Sequence, residues 1–210
     1  KGIKVIGIGT NLNCLHGVMP SQDKLIQLSL YKQLLELKFN IKLPCISGGT
    51  TVTIPLIYKK QMPKEINHFR VGEALFFGAD LFTGGTLKGM YDNVFELCCQ
   101  IIEIEEKPAV PSGEMQENPS GEMFEIKEEM IGKKSYRAII DIGLLDVNPD
   151  FLKSVENEDI KIIGASSDML IIDLGENNSG YQVGNIVKFH VSYMGALGLM
   201  NSRYIDKKVI

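Results

Sequence analysis

The sequence predicts an α/β segment over residues 1–89, an incomplete β/α barrel, followed by an antiparallel all-β domain over residues 90–210. Three observations carry this reading. Up to about Gly89, short apolar runs alternate with stretches of helical period, the pattern of parallel β/α units. From Met90 onward the helical period fades, and apolar runs are separated by turn residues. Only three strands precede the change, too few to close a barrel.

The elements follow in order. Val5-Ile6-Gly7-Ile8 is a nearly continuous apolar run, as in a strand covered on both faces. Ser21 then caps a helix whose apolar positions Leu25, Leu28, Leu34 and Leu35 recur at helical spacing. Leu43–Ile46 reads as the second strand, ending in Gly48-Gly49. A short helix follows from Thr51 or Val52, with Pro55 in its first turn. Phe69–Phe77 reads as a third strand, interrupted by Arg70, Gly72 and Glu73. In the second regime the expected strands are Val94–Ile104, Met123–Ile126, Tyr136–Ile142, Ile160–Ile163, Leu170–Leu174 and Ile186–His190. Turns are marked by Val147-Asn148-Pro149 and Asn177-Asn178-Ser179-Gly180, and a helical pattern returns at Tyr193–Met200. A short motif, Pro-Ser-Gly-Glu-Met, occurs at residues 111–115 and again at 119–123, and reads as a turn-rich loop.

Composition bounds the function. Of 210 residues, 44% are hydrophobic and 23% charged, enough for a packed core. The formal charge of −4 gives no electrostatic reason to bind nucleic acid or an anionic membrane. No apolar run approaches the roughly 20 residues of a spanning helix. Cys14, Cys45, Cys98 and Cys99 lack the spacing of a zinc site or a disulfide scaffold, which fits reduced thiols in a cytoplasmic protein. Cys98 and Cys99 are neighbours on an expected strand, so they should point to opposite faces. The chain opens Lys1-Gly2-Ile3 and runs straight into an apolar strand, so it is expected to be a piece of a longer protein.

Several segments could carry chemistry. Ser47-Gly48-Gly49-Thr50-Thr51 lies between a strand and a helix start, where glycines admit close approach and Thr51 adds a hydroxyl. It reads either as a phosphate cradle or as a tight turn. Arg70 sits inside an apolar stretch, so it must pair with a carboxylate or point into a polar cavity, since stranding a charge costs about 3 kcal/mol or more. Gly72, just beyond it, would let a ligand approach backbone N–H groups. Asn11 lies where the first strand ends, the end at which barrel enzymes gather their site residues. Ser166-Ser167-Asp168 precedes an apolar run in the β domain; local turn bonding would also explain it. His16, His68 and His190 form no ligand-spaced pair, and no metal site is expected.

Taken together and in order, these segments resemble the alanine- and ornithine-racemase-like enzymes of pyridoxal phosphate (PLP) fold type III. Gly7-Ile8-Gly9-Thr10-Asn11 resembles the strand that sets a residue against the PLP ring. Ser47–Thr51 resembles the phosphate loop, and Asn67–Leu75 the arginine–glycine strand. Gly164–Asp168 and Val191-Ser192-Tyr193 resemble signatures of the C-terminal β domain. The ornithine-racemase-like branch is the better match. The resemblance implies that residues 1–89 are the last strands of a (β/α)8 TIM-type barrel.

It also implies roles. Thr51, with Ser47, Gly48 and the backbone of Gly72 and Glu73, would hold the PLP phosphate, and Tyr193 would add a phenolic bond. Arg70 would face the pyridine nitrogen and Asn11 would lie against the ring. Ser167 and Asp168 would reach toward the amino-acid substrate in a homodimer with its site at the interface. An arginine is a permanent cation and cannot accept a proton. Against the pyridine nitrogen it weakens the ring as an electron sink, which suits reversible α-proton exchange over transamination.

The sequence also departs from the family pattern. Nothing corresponds to the Schiff-base lysine, which the family carries on the barrel's first strand, so this chain alone is expected to be inactive. Leu144 stands where alanine racemases carry a tyrosine base, and leucine cannot transfer a proton. Asp146 and Asp168 are the remaining ionisable candidates. Two alternatives stay open: a non-catalytic PLP-binding or assembly module, and a PLP-dependent decarboxylase or aldolase.

Overall fold

A computed structural model describes residues 2–117, 121, 123–155 and 160–210. The chain divides into two compact units, Lys1–Val94 and Phe95–Ile210.

In the first unit, β1 (Gly7–Gly9), β2 (Cys45–Thr50) and β3 (His68–Arg70) form a parallel sheet in that order, Gly7 facing Cys45 and Thr50 facing Arg70. Helix α1 (Gln22–Phe39) links β1 to β2. The Ser21 Oγ accepts the Lys24 N–H at its start, and Asn40 turns left-handed at its end with its N–H on the Glu36 carbonyl. Leu25 and Leu28 bury themselves with Ile46, Leu56 and Ile66. Leu35 is only half-buried and Leu34 is exposed, against expectation. The reason is length: 18 residues of helix run about 27 Å, far past strands of three to six residues. The second half of α1 overshoots the sheet.

Glu36 fastens that overshooting end. One carboxylate oxygen accepts the Leu43 N–H at 2.7 Å, and the other pairs with Lys32 at 2.9 Å. The Leu43 bond, then Lys32, holds the carboxyl below the usual carboxylate range. A depressed acid stabilises the fold while ionised, and that contribution is lost as pH falls through its folded range. The melting temperature of Glu36→Gln should therefore lie below that of the parent protein at neutral pH. The gap should close as the pH falls below the ordinary carboxylate range. A gap independent of pH would show that this contact does not titrate with folding.

Strand β2 begins later than the sequence suggests and runs on through Gly48-Gly49, so the glycines lie within the strand and not in a turn after it. A Cβ on Gly49 would sit 1.9 Å from the Phe69 ring, and one on Gly48 would meet Leu25 and Ile66 at 3.0 and 3.1 Å. These glycines make room for packing on both faces of a covered strand. A 3-10 turn (Thr51–Thr53) then leads into α2 (Ile54–Tyr58), which has Pro55 in its first turn.

The expected strand over Phe69–Phe77 is divided. Only His68–Arg70 is strand, and Glu73–Phe77 forms helix α3, closed by Gly78 at φ 60°. The cause is tertiary: the Thr51 hydroxyl accepts the Ala74 N–H at 3.1 Å and caps the new helix from 23 residues away. A two-stranded hairpin, β4 (Ala79–Asp80) with β5 (Gly85–Thr86), follows.

The second unit is a six-stranded antiparallel sheet in the order β8-β11-β6-β7-β10-β9. Its strands are β6 (Glu96–Pro108), β7 (Lys134–Ile140), β8 (Leu152–Ser154), β9 (Lys161–Ala165), β10 (Leu170–Asp173) and β11 (Ile186–Val191). Alternation along β6 buries Leu97, Cys99 and Ile101 and turns Cys98 outward, so the two cysteines do face opposite ways. Burial pushes the Cys99 thiol far up, which keeps it protonated and inert. Ile101, Ile140, Leu170, Ile172, Val187 and Phe189 fill the core. Met123–Ile126 is exposed and not a strand; among the described residues its apolar side chains pair with no strand edge. The second copy of the Pro-Ser-Gly-Glu-Met motif falls partly outside the described residues. Helix α4 (Tyr193–Asn201) ends the fold, as the periodicity suggests. No helix among the described residues is long and apolar enough to cross a membrane.

Candidate active site

Polar groups gather where the three parallel strands end. Parallel pairing in register sets the β1, β2 and β3 termini side by side, and the Thr10 N–H continues the ladder onto the Ser47 carbonyl at 2.9 Å. Arg70, the last residue of β3, reaches back across this end. Its Nη2 donates to the Thr10 carbonyl at 3.0 Å, and its Nη1 donates to the Ser47 Oγ. It makes no ion pair with a carboxylate among the described residues. Of the two readings open for this arginine, the structural ion pair is therefore absent. The guanidinium is exposed but directed, and no carboxylate among the described residues neutralises its charge.

Immediately beyond Arg70 the chain turns at Gly72 into α3. The N–H groups of Gly72 and Glu73 reach no acceptor among the described residues, while Ala74 N–H is taken by Thr51. Because the Thr51 oxygen accepts from Ala74, its own proton is left to donate elsewhere. Two free amides, a hydroxyl proton and a cation within one stretch form a donor-only set suited to an anion. A Cβ on Gly72 would meet nothing within 4 Å, so space lies open beside these amides. Burial pushes the Glu73 carboxyl up. The residues present thus fit a phosphate-bearing cofactor.

The other expected residues of this unit are placed as follows. Asn11 is exposed just past β1, one residue beyond the carbonyl that anchors Arg70, and its Nδ2 donates to Cys14 Sγ at 3.0 Å. The Ser47 hydroxyl is engaged with Arg70. Gly48 is buried against Leu25 and Ile66 and serves packing. Asn67, given no role of its own in the sequence, pins β3 to β2 by accepting the Ile46 N–H and donating to the Pro44 carbonyl, both at 2.8 Å. His68, weighed there only as a metal ligand, has its Nδ1 2.9 Å from the Ser47 Oγ. The only signal available for it was strand alternation, which puts His68 on the same face as Arg70.

In the second unit, Ser166-Ser167-Asp168 forms a tight exposed turn. The Ser167 Oγ donates to Asp168 Oδ1 at 3.0 Å, and the Leu144 and Leu145 N–H groups donate to the Ser166 and Ser167 carbonyls, both at 2.9 Å. The turn is thereby locked to the segment holding Leu144, which is itself exposed. Asp146 accepts from the Ser202 Oγ at 2.5 Å, so its carboxylate fastens the end of α4. Tyr193 opens α4 and is exposed. Among the described residues no cluster of His, Cys, Asp or Glu could hold a metal ion.

A three-stranded β/α sheet with its polar groups at the carboxyl ends, joined to an antiparallel β domain, is the fold of the alanine racemases. The chain is 38% identical over 210 residues to an ornithine racemase of Acetoanaerobium sticklandii, matching all of this chain and 58% of that protein. It is 29% identical over 207 residues to a lysine racemase of Thermotoga maritima, covering 57% of it. The chain thus spans a little over half the length of the curated relatives it matches. A solved alanine racemase from Bartonella henselae with covalently bound pyridoxal phosphate shares the fold at a TM-score of 0.50 and 18% identity, over 88% of this chain and 56% of that one. No family model matches.

Proposed function

We propose that the chain is part of a PLP-dependent racemase that interconverts the L and D forms of a basic amino acid such as ornithine or lysine. The observation that carries this reading is Arg70. It is a permanent cation without a carboxylate partner among the described residues, anchored by Thr10 and Ser47 beside the donor set of Thr51, Gly72 and Glu73. The names of the two curated relatives supply the substrate class.

In this reading Thr51 and the Gly72 and Glu73 amides would grip the phosphate. Arg70 would serve the ring nitrogen and Asn11 would pack against the ring. Ser47 would contribute by holding Arg70, and Gly48, inside β2, by letting the strand pack closely on Leu25 and Ile66. The bound cofactor supplies an electron-withdrawing ring that acidifies the substrate's α-proton. Arg70 donates hydrogen bonds only, so it leaves the ring nitrogen without a proton and moderates that withdrawal. Ser167 and Asp168 approach the substrate from the partner subunit of a homodimer. In this reading no residue of the chain takes the place of the lysine that would carry the cofactor.

The full-length protein should exchange the α-proton of D- or L-ornithine or lysine with solvent deuterium, read by NMR or mass spectrometry. Binding without exchange on any amino acid would overturn the racemase reading. Thr51→Val should weaken PLP binding about tenfold, the loss of one hydrogen bond to a charged group. Thr51→Ser should restore it. An absorbance titration of the apo full-length protein measures both.

A further inference from the structure

We propose that His68 is a positioning residue for Arg70, acting through the hydroxyl of Ser47. Strand register brings the three together: Ser47 of β2 pairs with His68 of β3, and His68 and Arg70 are two residues apart on one face. The Ser47 Oγ accepts from Arg70 Nη1 and lies 2.9 Å from His68 Nδ1.

Arginine has donors only, so it takes one lone pair of the serine oxygen. The serine retains one proton, and in the proposed relay that proton goes to the imidazole Nδ1 of His68, in the tautomer with the ring proton on Nε2. The chain of bonds then runs Arg70 to Ser47 to His68, each oriented by the next. A hydroxyl without that acceptor is a free rotor that turns its proton to water, and its lone pair no longer points steadily at Arg70. The guanidinium would keep only the Thr10 carbonyl, a single bond about which a long exposed side chain can swing. Two bonds to different strands fix a planar fork; one does not. His68 itself touches neither cofactor nor substrate in this account.

The consequence for chemistry rests on the proposed reading that Arg70 confronts the cofactor's ring, whereas the bond network does not. The test separates the two. In the full-length protein, Arg70 guanidinium 15N–1H signals should show slowed rotation and slowed solvent exchange. His68→Phe and Ser47→Ala should abolish that protection. His68→Asn, whose amide oxygen can take the place of Nδ1, should retain it. In the PLP-loaded protein, His68→Phe should shift the cofactor absorption band and lower kcat about tenfold with KM unchanged, since misdirecting a catalytic group costs rate before it costs affinity. Combined with Ser47→Ala it should add nothing further. Unaltered Arg70 signals in His68→Phe, or equal loss in His68→Asn, would overturn the proposal. Arg70 signals that respond while the cofactor band does not would leave the relay standing and remove the cofactor reading.

Discussion

Arg70→Ala in the full-length protein is expected to lower kcat about 10³-fold while leaving the fold intact. The size follows from the cost of removing a preorganised charge at a reacting group, about 10²- to 10³-fold. The fold should survive because Arg70 is exposed and its partners, the Ser47 hydroxyl and the Thr10 carbonyl, can be solvated once it is gone. Arg70→Lys should recover little, since an ammonium is a point donor that cannot serve Thr10, Ser47 and a ring nitrogen in one plane. Arg70→Glu is the sharper variant. A carboxylic acid can donate a proton to the ring nitrogen, so it should raise transamination relative to racemisation. Steady-state rates in both directions, together with assay of keto-acid product, measure these effects. Turnover within a few-fold of the parent in Arg70→Ala would mean that this cation plays no part in the reaction.

Gly143→Ala should destabilise the second unit by about 3 kcal/mol, the upper range for forcing a methyl into a packed site. A Cβ there would lie 2.4 to 2.5 Å from the backbone of Asp168. Backbone cannot rotate out of the way as a side-chain tip can, so the Ser166–Asp168 turn must lift off. That movement would break the bonds from the Leu144 and Leu145 amides to Ser166 and Ser167. Urea denaturation should show a lower midpoint with an unchanged slope. If Asp168 and Ser167 face a neighbouring subunit's substrate, KM should rise as well, beyond what the lost stability explains. A glycine-to-alanine change of under 0.5 kcal/mol would show that the turn is not held against residue 143.

The sequence was most informative where structure depends on near neighbours. The Ser21 cap, the start of α1 and the opposite faces of Cys98 and Cys99 each need only residues within one turn or one pleat. The strands of the antiparallel unit were legible for the same reason, with two exceptions: β8 (Leu152–Ser154), only three residues long, was not anticipated, and Met123–Ile126, expected as a strand, is not one. The candidate site was legible as a set of motifs, because Thr51, Arg70 and Gly72 resemble an ordered family pattern. It was not legible as an arrangement.

By itself the chain determined its local periods, its helix caps and which residue types were available for binding an anion. Tertiary structure alone decided that Gly48 and Gly49 belong inside β2, since the Phe69 ring and the Leu25 side chain that press on them lie some twenty residues away on either side. It also decided that Glu73–Phe77 is helical, because the capping hydroxyl comes from Thr51. Above all it decided where Arg70 points, by a bond to Thr10 across sixty residues of chain. Periodicity reports which face a residue occupies, but the donor or acceptor it meets there is set by strand register, which no local pattern encodes.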